Sequence, residues 1–214
     1  LGLTLDEAGA EACRCLQCEC LECVKACAYL EAFGSHPGQY ARRVYNNLAV
    51  TQGRGTRSAN KMIDSCSLCR LCYEVCPTEL DFAEVALDAR REMVRQDRMP
   101  ASAFSFALED LALATGEGST LARHAPGKQA SEVVFFPGCQ LAASDPRHLE
   151  RVYEHLRERY SAATGLLLYC CGAPADWAGQ AGVFDRTLAG LRECLGSLDA
   201  HKLVLACPTC ELAL

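Results

Sequence analysis

The chain has 214 residues, half of them apolar and 22% charged, which is ordinary for a globular protein with room for one large or two small domains. Its formal net charge of −6 argues against binding to nucleic acid, because such binding needs a basic face. No uninterrupted apolar run approaches the roughly 18 residues that a membrane-spanning helix needs, so any membrane association has to come through a partner.

Cysteine accounts for 16 of the 214 residues, which raises the question of a disulfide scaffold. Disulfide frameworks suit small secreted domains without an adequate core, whereas this chain is long and apolar enough to build one. Residues 1–7 also lack the basic and apolar regions of a secretory signal peptide. A reducing, cytoplasmic compartment is therefore expected, at the inner face of the membrane if a partner subunit holds the chain there.

The first half of the chain has helical patterns around two runs of cysteines. The runs lie at 12–30 and 66–76, and helices are predicted at 39–52, 81–98 and 101–114. The helix at 81–98 has apolar residues on one face. Its arginines are expected on the solvated face, or alternatively on a docking face for an acidic redox partner: Arg90, Arg91, Arg95 and Arg98.

Residues 116–131 are rich in glycine and small polar residues and are predicted to be a linker. The residue pattern changes after this segment. Short apolar runs of the buried-strand type then alternate with helical stretches. The strands are predicted at 133–136, 166–169 and 203–206, and the helices at 145–160 and 183–198. This alternation implies a parallel sheet. The predicted fold is α+β, with an all-helical domain over 1–115 and a small α/β domain over 132–214.

The second cysteine run has the spacing of a bacterial ferredoxin. Cys66, Cys69, Cys72 and Cys76, followed by Pro77, form the pattern C-x2-C-x2-C-x3-C-P. In that pattern three thiolates bind one cubane and the fourth binds a second cubane, so a partner run is needed. The first run supplies it and is parsed as C-x2-C-x4-C-x3-C.

The two runs are therefore predicted to exchange their fourth cysteines. One [4Fe-4S] cubane, cluster A, takes Cys15, Cys18, Cys23 and Cys76, and the other, cluster B, takes Cys66, Cys69, Cys72 and Cys27. Two zinc sites with four cysteines each are the alternative, since zinc also accepts CxxC pairs. Cys13 and Cys20 are left over as plain thiols, although Cys20 could replace Cys18 or Cys23 as a ligand.

A second array of cysteines follows the ends of the three predicted strands: Cys139, Cys170, Cys171, Cys207 and Cys210. Ligands in open parallel sheets collect at the carboxyl edge, so these five thiols are expected to converge. Five are one more than a simple four-thiolate site requires, which suggests an unusual cluster. Structural zinc and a set of redox-active thiols are the alternatives for this array.

Two resemblances follow from these motifs. The first run with its lead-in resembles the N-terminal iron–sulfur domain of glutamate synthase small subunits and dihydropyrimidine dehydrogenases, over about twenty residues. The pattern C-x30-C-C-G-x34-C-P-x-C resembles the cysteine-rich CCG domain of heterodisulfide reductase catalytic subunits. A two-cluster helical ferredoxin followed by such a domain resembles that family over roughly residues 12–214.

The second resemblance implies a function in anaerobic redox metabolism. It implies that the motif from Cys139 to Cys210 can hold a non-cubane [4Fe-4S] cluster, although some relatives hold zinc or a simpler cluster there. The family usually carries two copies of the motif, whereas this sequence has one. Either the second copy is absent from the protein, or the sequence is a fragment, or another subunit supplies it.

Three hypotheses for the function result. The first is an electron-transfer subunit of a heterodisulfide reductase-like complex that relays electrons through two cubanes to or from the CCG-domain cluster. Its partners would be redox subunits of the flavoprotein, ferredoxin or cytochrome type. The second hypothesis is a catalytic disulfide/thiol oxidoreductase that uses the five-cysteine cluster. The third is a zinc-stabilised assembly protein. No catalytic residue can be assigned under any of them.

Overall fold

The computed structural model describes residues 3–13, 18–33, 36–49 and 57–214, and the chain divides into two compact units, 1–100 and 101–214. The structure confirms the α+β class, with helices alone in the described part of the first unit and a four-stranded sheet in the second. Within the described residues, none of the helices combines the length and apolar character that a membrane span requires.

The first unit consists of short helices around a core of apolar side chains. Its helices are α1 Leu5–Cys13, α2 Glu22–Ala26, α3 Ala28–Phe33, α4 Pro37–Ala49, α5 Asn60–Asp64, α6 Leu71–Glu74 and α7 Phe82–Arg95. The helices predicted at 39–52 and 81–98 correspond to α4 and α7, and residues 50–52 lie outside the described part. Tyr40, Met62 and Phe82 are among the side chains that fill the core.

Helix α7 begins at a well-formed cap. The Asp81 carboxylate accepts hydrogen bonds from the backbone N–H groups of Ala83, at 2.8 Å, and Glu84, at 3.3 Å. A cap of this type is worth about 1 kcal/mol. The same carboxylate accepts a hydrogen bond from Nε of Arg70 at 2.7 Å. Asp81 thus connects the start of α7 to the loop that carries the second cysteine run.

The prediction that the four arginines of residues 81–98 lie on a solvated face is wrong for two of them. Arg91 and Arg95 are exposed and pair with acidic residues one turn earlier. Arg90 is 1% exposed and donates to the backbone carbonyls of Ile63 and Cys66, whereas Arg98 donates to carbonyls at the end of α4. Carbonyl groups in the last turn of a helix have no partner further along that helix, so side-chain donors such as these can satisfy them.

The second unit is a sheet with helices packed around it. Its elements are α8 Ser105–Ala114, β1 Leu121–Arg123, β2 Val133–Phe136, α9 Gly138–Ala143, α10 Pro146–Arg159, β3 Thr164–Leu168, α11 Ala173–Trp177, α12 Ala181–Leu198, β4 Lys202–Leu205 and α13 Pro208–Ala213. The strand order is β1-β3-β2-β4. Strand β2 pairs in parallel with β3 and β4, with Val134 opposite Gly165 and Leu203.

The segment predicted as a linker contributes to this unit. Strand β1 lies within 116–131 and pairs antiparallel with β3, with Ala122 opposite Leu167, so the sheet is mixed rather than purely parallel. Helix α8, which the sequence analysis assigns to the first domain, also belongs to the second unit by its contacts. Its Leu111 is buried against Cys170 and Ala175. The change in composition at 116–131 therefore does not coincide with the division between the compact units.

Candidate functional site

Cysteines from both runs of the first unit face one cavity, which we call the first cavity. Its volume is about 230 Å³, and it is lined by Cys18, Cys20, Cys23 and Cys76 together with the apolar side chains Leu21, Pro37, Pro77 and Leu80. Cys23 is buried, and burial raises the pKa of its thiol. Cys15, the remaining residue predicted for cluster A, lies outside the described residues.

The other four predicted ligands line a second cavity in the same unit. Cys27, Cys66, Cys69 and Cys72 surround this much smaller space, of about 20 Å³, with Leu30 and Phe82 beside them. Cys27 thus lies with the first three cysteines of the second run, and Cys76 shares the first cavity with Cys18, Cys20 and Cys23. Thiol side chains grouped in this way fit the donor set that an iron–sulfur cluster needs. Which thiols bind iron stays a prediction.

The loops that present these thiols depend on left-handed backbone conformations. Leu21 (φ 56°) and Arg70 (φ 61°) immediately precede the short helices α2 and α6. A non-glycine residue in this region costs roughly 1–2 kcal/mol, so the surroundings have to hold it in place. The Arg70 side chain is held by Asp81 and lies over the ring of Tyr73, 4.8 Å from its centroid.

Hydrogen bonds to sulfur accompany this loop geometry. The backbone N–H of Leu71 donates to the Cys69 sulfur, and with a hydrogen bond from Ser67 it lowers the pKa of that thiol. The pKa of the Cys66 thiol is raised instead, because this residue is more buried. Thiolate is the form that binds metal, and N–H···S hydrogen bonds also set the potential of a bound cluster.

The structure bears on Cys20, which the sequence analysis leaves as a plain thiol or as a replacement for Cys18 or Cys23. The segment Cys20-x2-Cys23-x3-Cys27 repeats the spacing of Cys69-x2-Cys72-x3-Cys76. The two segments also have similar structures. Leu21 and Arg70 both adopt left-handed conformations, and Cys23 and Cys72 are both 7% exposed. Cys20 therefore corresponds to Cys69. The repeated spacing could have indicated this, but parsing the first run from Cys15 obscured it.

The five cysteines of the second array lie close together, as expected from their positions after the three strands. Cys139, the Cys170–Cys171 pair and Cys207 follow β2, β3 and β4 at the edge of the sheet where these parallel strands end. The sulfur atoms of Cys139 and Cys170 are 3.6 Å apart. Cys171 interacts through hydrogen bonds with Cys170 and Cys210, and Cys210 interacts in turn with Cys207. All five thiols thus form one connected group.

Two glycines in left-handed conformations allow this convergence. At Gly138 (φ 75°) a Cβ atom would lie 3.1 Å from Sγ of Cys210 and 3.4 Å from Cβ of Cys207. At Gly172 (φ 87°) it would lie 3.1–3.2 Å from the side chains of Phe184 and Thr187. Contacts this short are tighter than ordinary van der Waals contacts, so a side chain at either position would displace its neighbours.

The pKa values of the thiols in this group are shifted in opposite directions. Hydrogen bonds from Cys170 and Cys210 lower the pKa of Cys171, and the hydrogen bond from Cys170 lowers the pKa of Cys139. The pKa values of the two donors, Cys170 and Cys210, are raised because they keep their protons in these hydrogen bonds. These opposite shifts follow from the close mutual contact of the thiols.

A separate cavity of about 410 Å³ opens beside Cys139. It is lined by residues of α8, the turn that follows it, α9 and the end of β3, including Leu113, Ser119, Gln140 and Tyr169. The single charged side chain among its described lining residues is Asp110. Among the described residues, no three potential metal-binding side chains meet as closely as a single-ion site requires.

Comparison with known proteins matches the same two regions. Residues 14–81 match a 4Fe-4S dicluster domain, and residues 133–214 match a cysteine-rich domain. Over 92% of its length the chain is 24% identical to one of the subunits of the fumarate reductase (CoM/CoB) from Methanothermobacter marburgensis. Over 90% of its length it is 22% identical to an uncharacterized iron–sulfur protein of Methanococcus maripaludis.

The chain spans 42% of the length of each of these two relatives. No solved structure matches it significantly. The matched domains occur in the order that the cysteine patterns predict, and together they contain every cysteine of the two predicted arrays. The chain therefore combines a region that matches a 4Fe-4S dicluster domain with a following region that matches a cysteine-rich CCG domain, the order found in the heterodisulfide reductase-like iron–sulfur proteins that its cysteine patterns resemble.

Proposed function

We propose that this chain is the iron–sulfur electron-transfer subunit of a heterodisulfide reductase-like oxidoreductase complex. Two [4Fe-4S] cubanes in the first unit and a third cluster in the second, of the non-cubane [4Fe-4S] or a simpler type, would supply one-electron chemistry. The observation that carries the proposal is the grouping of the cysteines around two cavities in the first unit and at one sheet edge in the second.

The predicted ligands of cluster B are Cys66, Cys69, Cys72 and Cys27, and their common cavity supports this set. For cluster A, Cys23 and Cys76 share a cavity with both Cys18 and Cys20. The correspondence of Cys20 with Cys69 favours Cys20 as a third ligand. The fourth ligand is then either Cys18 or Cys15. The sequence analysis takes both of them in its main assignment and allows Cys20 to replace Cys18 as the alternative. Cys139, Cys170, Cys171, Cys207 and Cys210 would hold the third cluster.

Anaerobic purification with iron and acid-labile sulfide analysis tests the proposal. We expect a brown protein with about eight or more irons per chain, of which Cys171→Ala removes only the share bound by the second unit. Cys194→Ala is the matched control, since this half-buried thiol on α12 is not part of the connected group. Colourless protein without sulfide would refute the proposal, and stoichiometric zinc would support a zinc-stabilised assembly protein instead.

The cavity beside Cys139 supports a second candidate function, catalysis at the five-cysteine cluster. A molecule bound there would be adjacent to one of the proposed ligands. Reductive cleavage of a disulfide would consume two electrons and two protons and release two thiols, with the electrons supplied by a reduced protein partner. A change in the electron paramagnetic resonance (EPR) spectrum of the second-unit cluster when a disulfide is added would favour this function. An unchanged spectrum favours electron transfer alone.

The partners of the chain are part of the proposal. A relative named as a subunit of a reductase supports association with other redox subunits. We propose that these are of the flavoprotein, ferredoxin or cytochrome type and that the complex works in the reducing cytoplasm. Any contact with the membrane would then be made through a partner. Co-purification of the natively expressed chain with a flavin-, haem- or iron-containing subunit is the expected result.

A further inference from the structure

Arg90 of α7 is a fully buried cation in the first unit. Its side chain is the largest among those less than 2% exposed. Its Nε and Nη2 atoms donate to the carbonyl oxygen of Ile63 at 3.1 and 2.9 Å, and Nη2 also donates to the carbonyl oxygen of Cys66 at 2.5 Å. Arg90 thus holds the backbone at the end of α5, where the second cysteine run begins.

The position of Arg90 matters because Cys66 is the first of the four cysteines around the second cavity. Burying a guanidinium group is costly, and the group keeps its charge because it cannot be deprotonated under ordinary conditions. A charge that is buried is screened far less by water and salt than one at the surface. Arg90 therefore places a buried positive charge, which interacts with Asp64, behind the loop that presents these thiols.

We propose that Arg90 positions this loop and raises the reduction potential of the cluster held by Cys27, Cys66, Cys69 and Cys72. The inference rests on the proposed function. One-electron reduction adds a negative charge to the cluster, and a fixed cation nearby stabilises the reduced form more than the oxidised form. Arg90 acts through the backbone of Ile63 and Cys66, to which it donates, so its role is that of a positioning residue.

A purely structural role predicts a different outcome from a role in setting the potential. If Arg90 serves only as a hydrogen-bond donor for Ile63 and Cys66, its loss would lower stability and iron content without a selective shift in potential. If its charge matters, one cubane should shift while the other keeps its potential. The chain provides a matched control in Arg95, an arginine on the same helix whose side chain is 72% exposed and pairs with Glu92.

The experiment compares Arg90→Lys, Arg90→Gln and Arg95→Gln by EPR-monitored potentiometric titration of the purified, cluster-containing chain, with iron per chain measured for each. For Arg90→Gln we expect one cubane to be at least tenfold less reduced at a fixed potential, which corresponds to a midpoint lower by about 59 mV. Arg90→Lys should keep most of the wild-type potential, and Arg95→Gln all of it. Cys69→Ser identifies which EPR signal belongs to this cluster.

Unchanged potentials in an Arg90→Gln variant with full iron content would overturn the inference. An equal fall in Arg90→Lys and Arg90→Gln would also overturn it, because lysine keeps the charge. If Arg90→Gln fails to retain iron, the test uses Asp64→Asn instead, because Asp64 interacts electrostatically with Arg90. Removing the negative charge of Asp64 should raise the reduction potential of the same cluster. An Asp64→Asn variant without such a rise would overturn the inference. Wild-type protein without iron would refute the proposed function itself, which is a separate result.

Discussion

Gly138 offers a direct test of how closely the five thiols of the second unit have to approach the backbone. Replacing it by alanine forces a residue with a Cβ atom to remain at φ 75°, which costs roughly 1–2 kcal/mol. The new Cβ would also lie 3.1 Å from Sγ of Cys210, a residue that is 2% exposed and has little room to move. Overpacking of a buried site adds typically about 1–3 kcal/mol.

Gly127 separates these two contributions. It also has a left-handed conformation (φ 74°), but nothing lies within 4 Å of its hypothetical Cβ. Gly127→Ala should therefore cost only the backbone strain and leave the iron content unchanged. Gly138→Ala should cost about 1–3 kcal/mol more and displace Cys210, so that the second-unit cluster is lost and the clusters of the first unit are retained.

Denaturant titration gives the two changes in unfolding free energy, and iron analysis with EPR gives the fate of each cluster. A shift of 1 kcal/mol corresponds to roughly 4–8 °C in Tm for a unit of this size, so the two variants are readily distinguished by heat as well. The reasoning fails if Gly138→Ala has the stability of Gly127→Ala and keeps the wild-type iron content and spectrum. In that case the close approach of Gly138 to Cys210 would not constrain the site.

Three further predictions concern the first unit. Cys20→Ser should lower the iron content measured per chain, and Cys18→Ser should lower it as much only if Cys18 is the fourth ligand. Full iron content in Cys20→Ser together with a loss in Cys18→Ser would favour the Cys15–Cys18 parse. Asp81→Ala should lower the unfolding free energy by about 0.5–2 kcal/mol, because it removes the cap of α7. Asp81→Asn keeps a capping oxygen, so the same denaturant titration should show a smaller loss of unfolding free energy. Asn47→Ala should cost about 1–3 kcal/mol, since its Oδ1 accepts from the buried N–H of Ala59 at 3.0 Å; an effect below about 0.5 kcal/mol would contradict this.

The sequence predicted the second unit well where local signals were strong. The apolar runs before Cys139, Cys170 and Cys207 are short and are followed within three residues by glycine or proline, so both the strands and the edge at which they end could be inferred. Strand β1 has three residues in a glycine-rich segment, and it forms because β3 offers an unpaired edge. Such pairing depends on tertiary contacts that a local pattern does not contain.

Arg90 shows how residue type can mislead where spacing does not. It lies four residues after Ala86 and three before Met93, which places it on the buried stripe of α7. The charge of its side chain nevertheless led to the prediction of a solvated face. The carbonyl oxygens that make burial tolerable belong to Ile63 and Cys66, more than twenty residues earlier in the chain. Only the folded arrangement brings donor and acceptors together.

The proposed ligands are also part of the hydrophobic core of the first unit. Cys23 and Cys72 pack in the same cluster of buried side chains as Tyr40, Ile63 and Phe82. The helices that carry them, α2 and α6, have five and four residues, far shorter than a helix that is stable by itself. Their stability therefore has to come from packing and from whatever the thiols bind. Because loading of the cysteines and formation of this core involve the same residues, binding of the clusters and folding of the first unit are expected to be coupled.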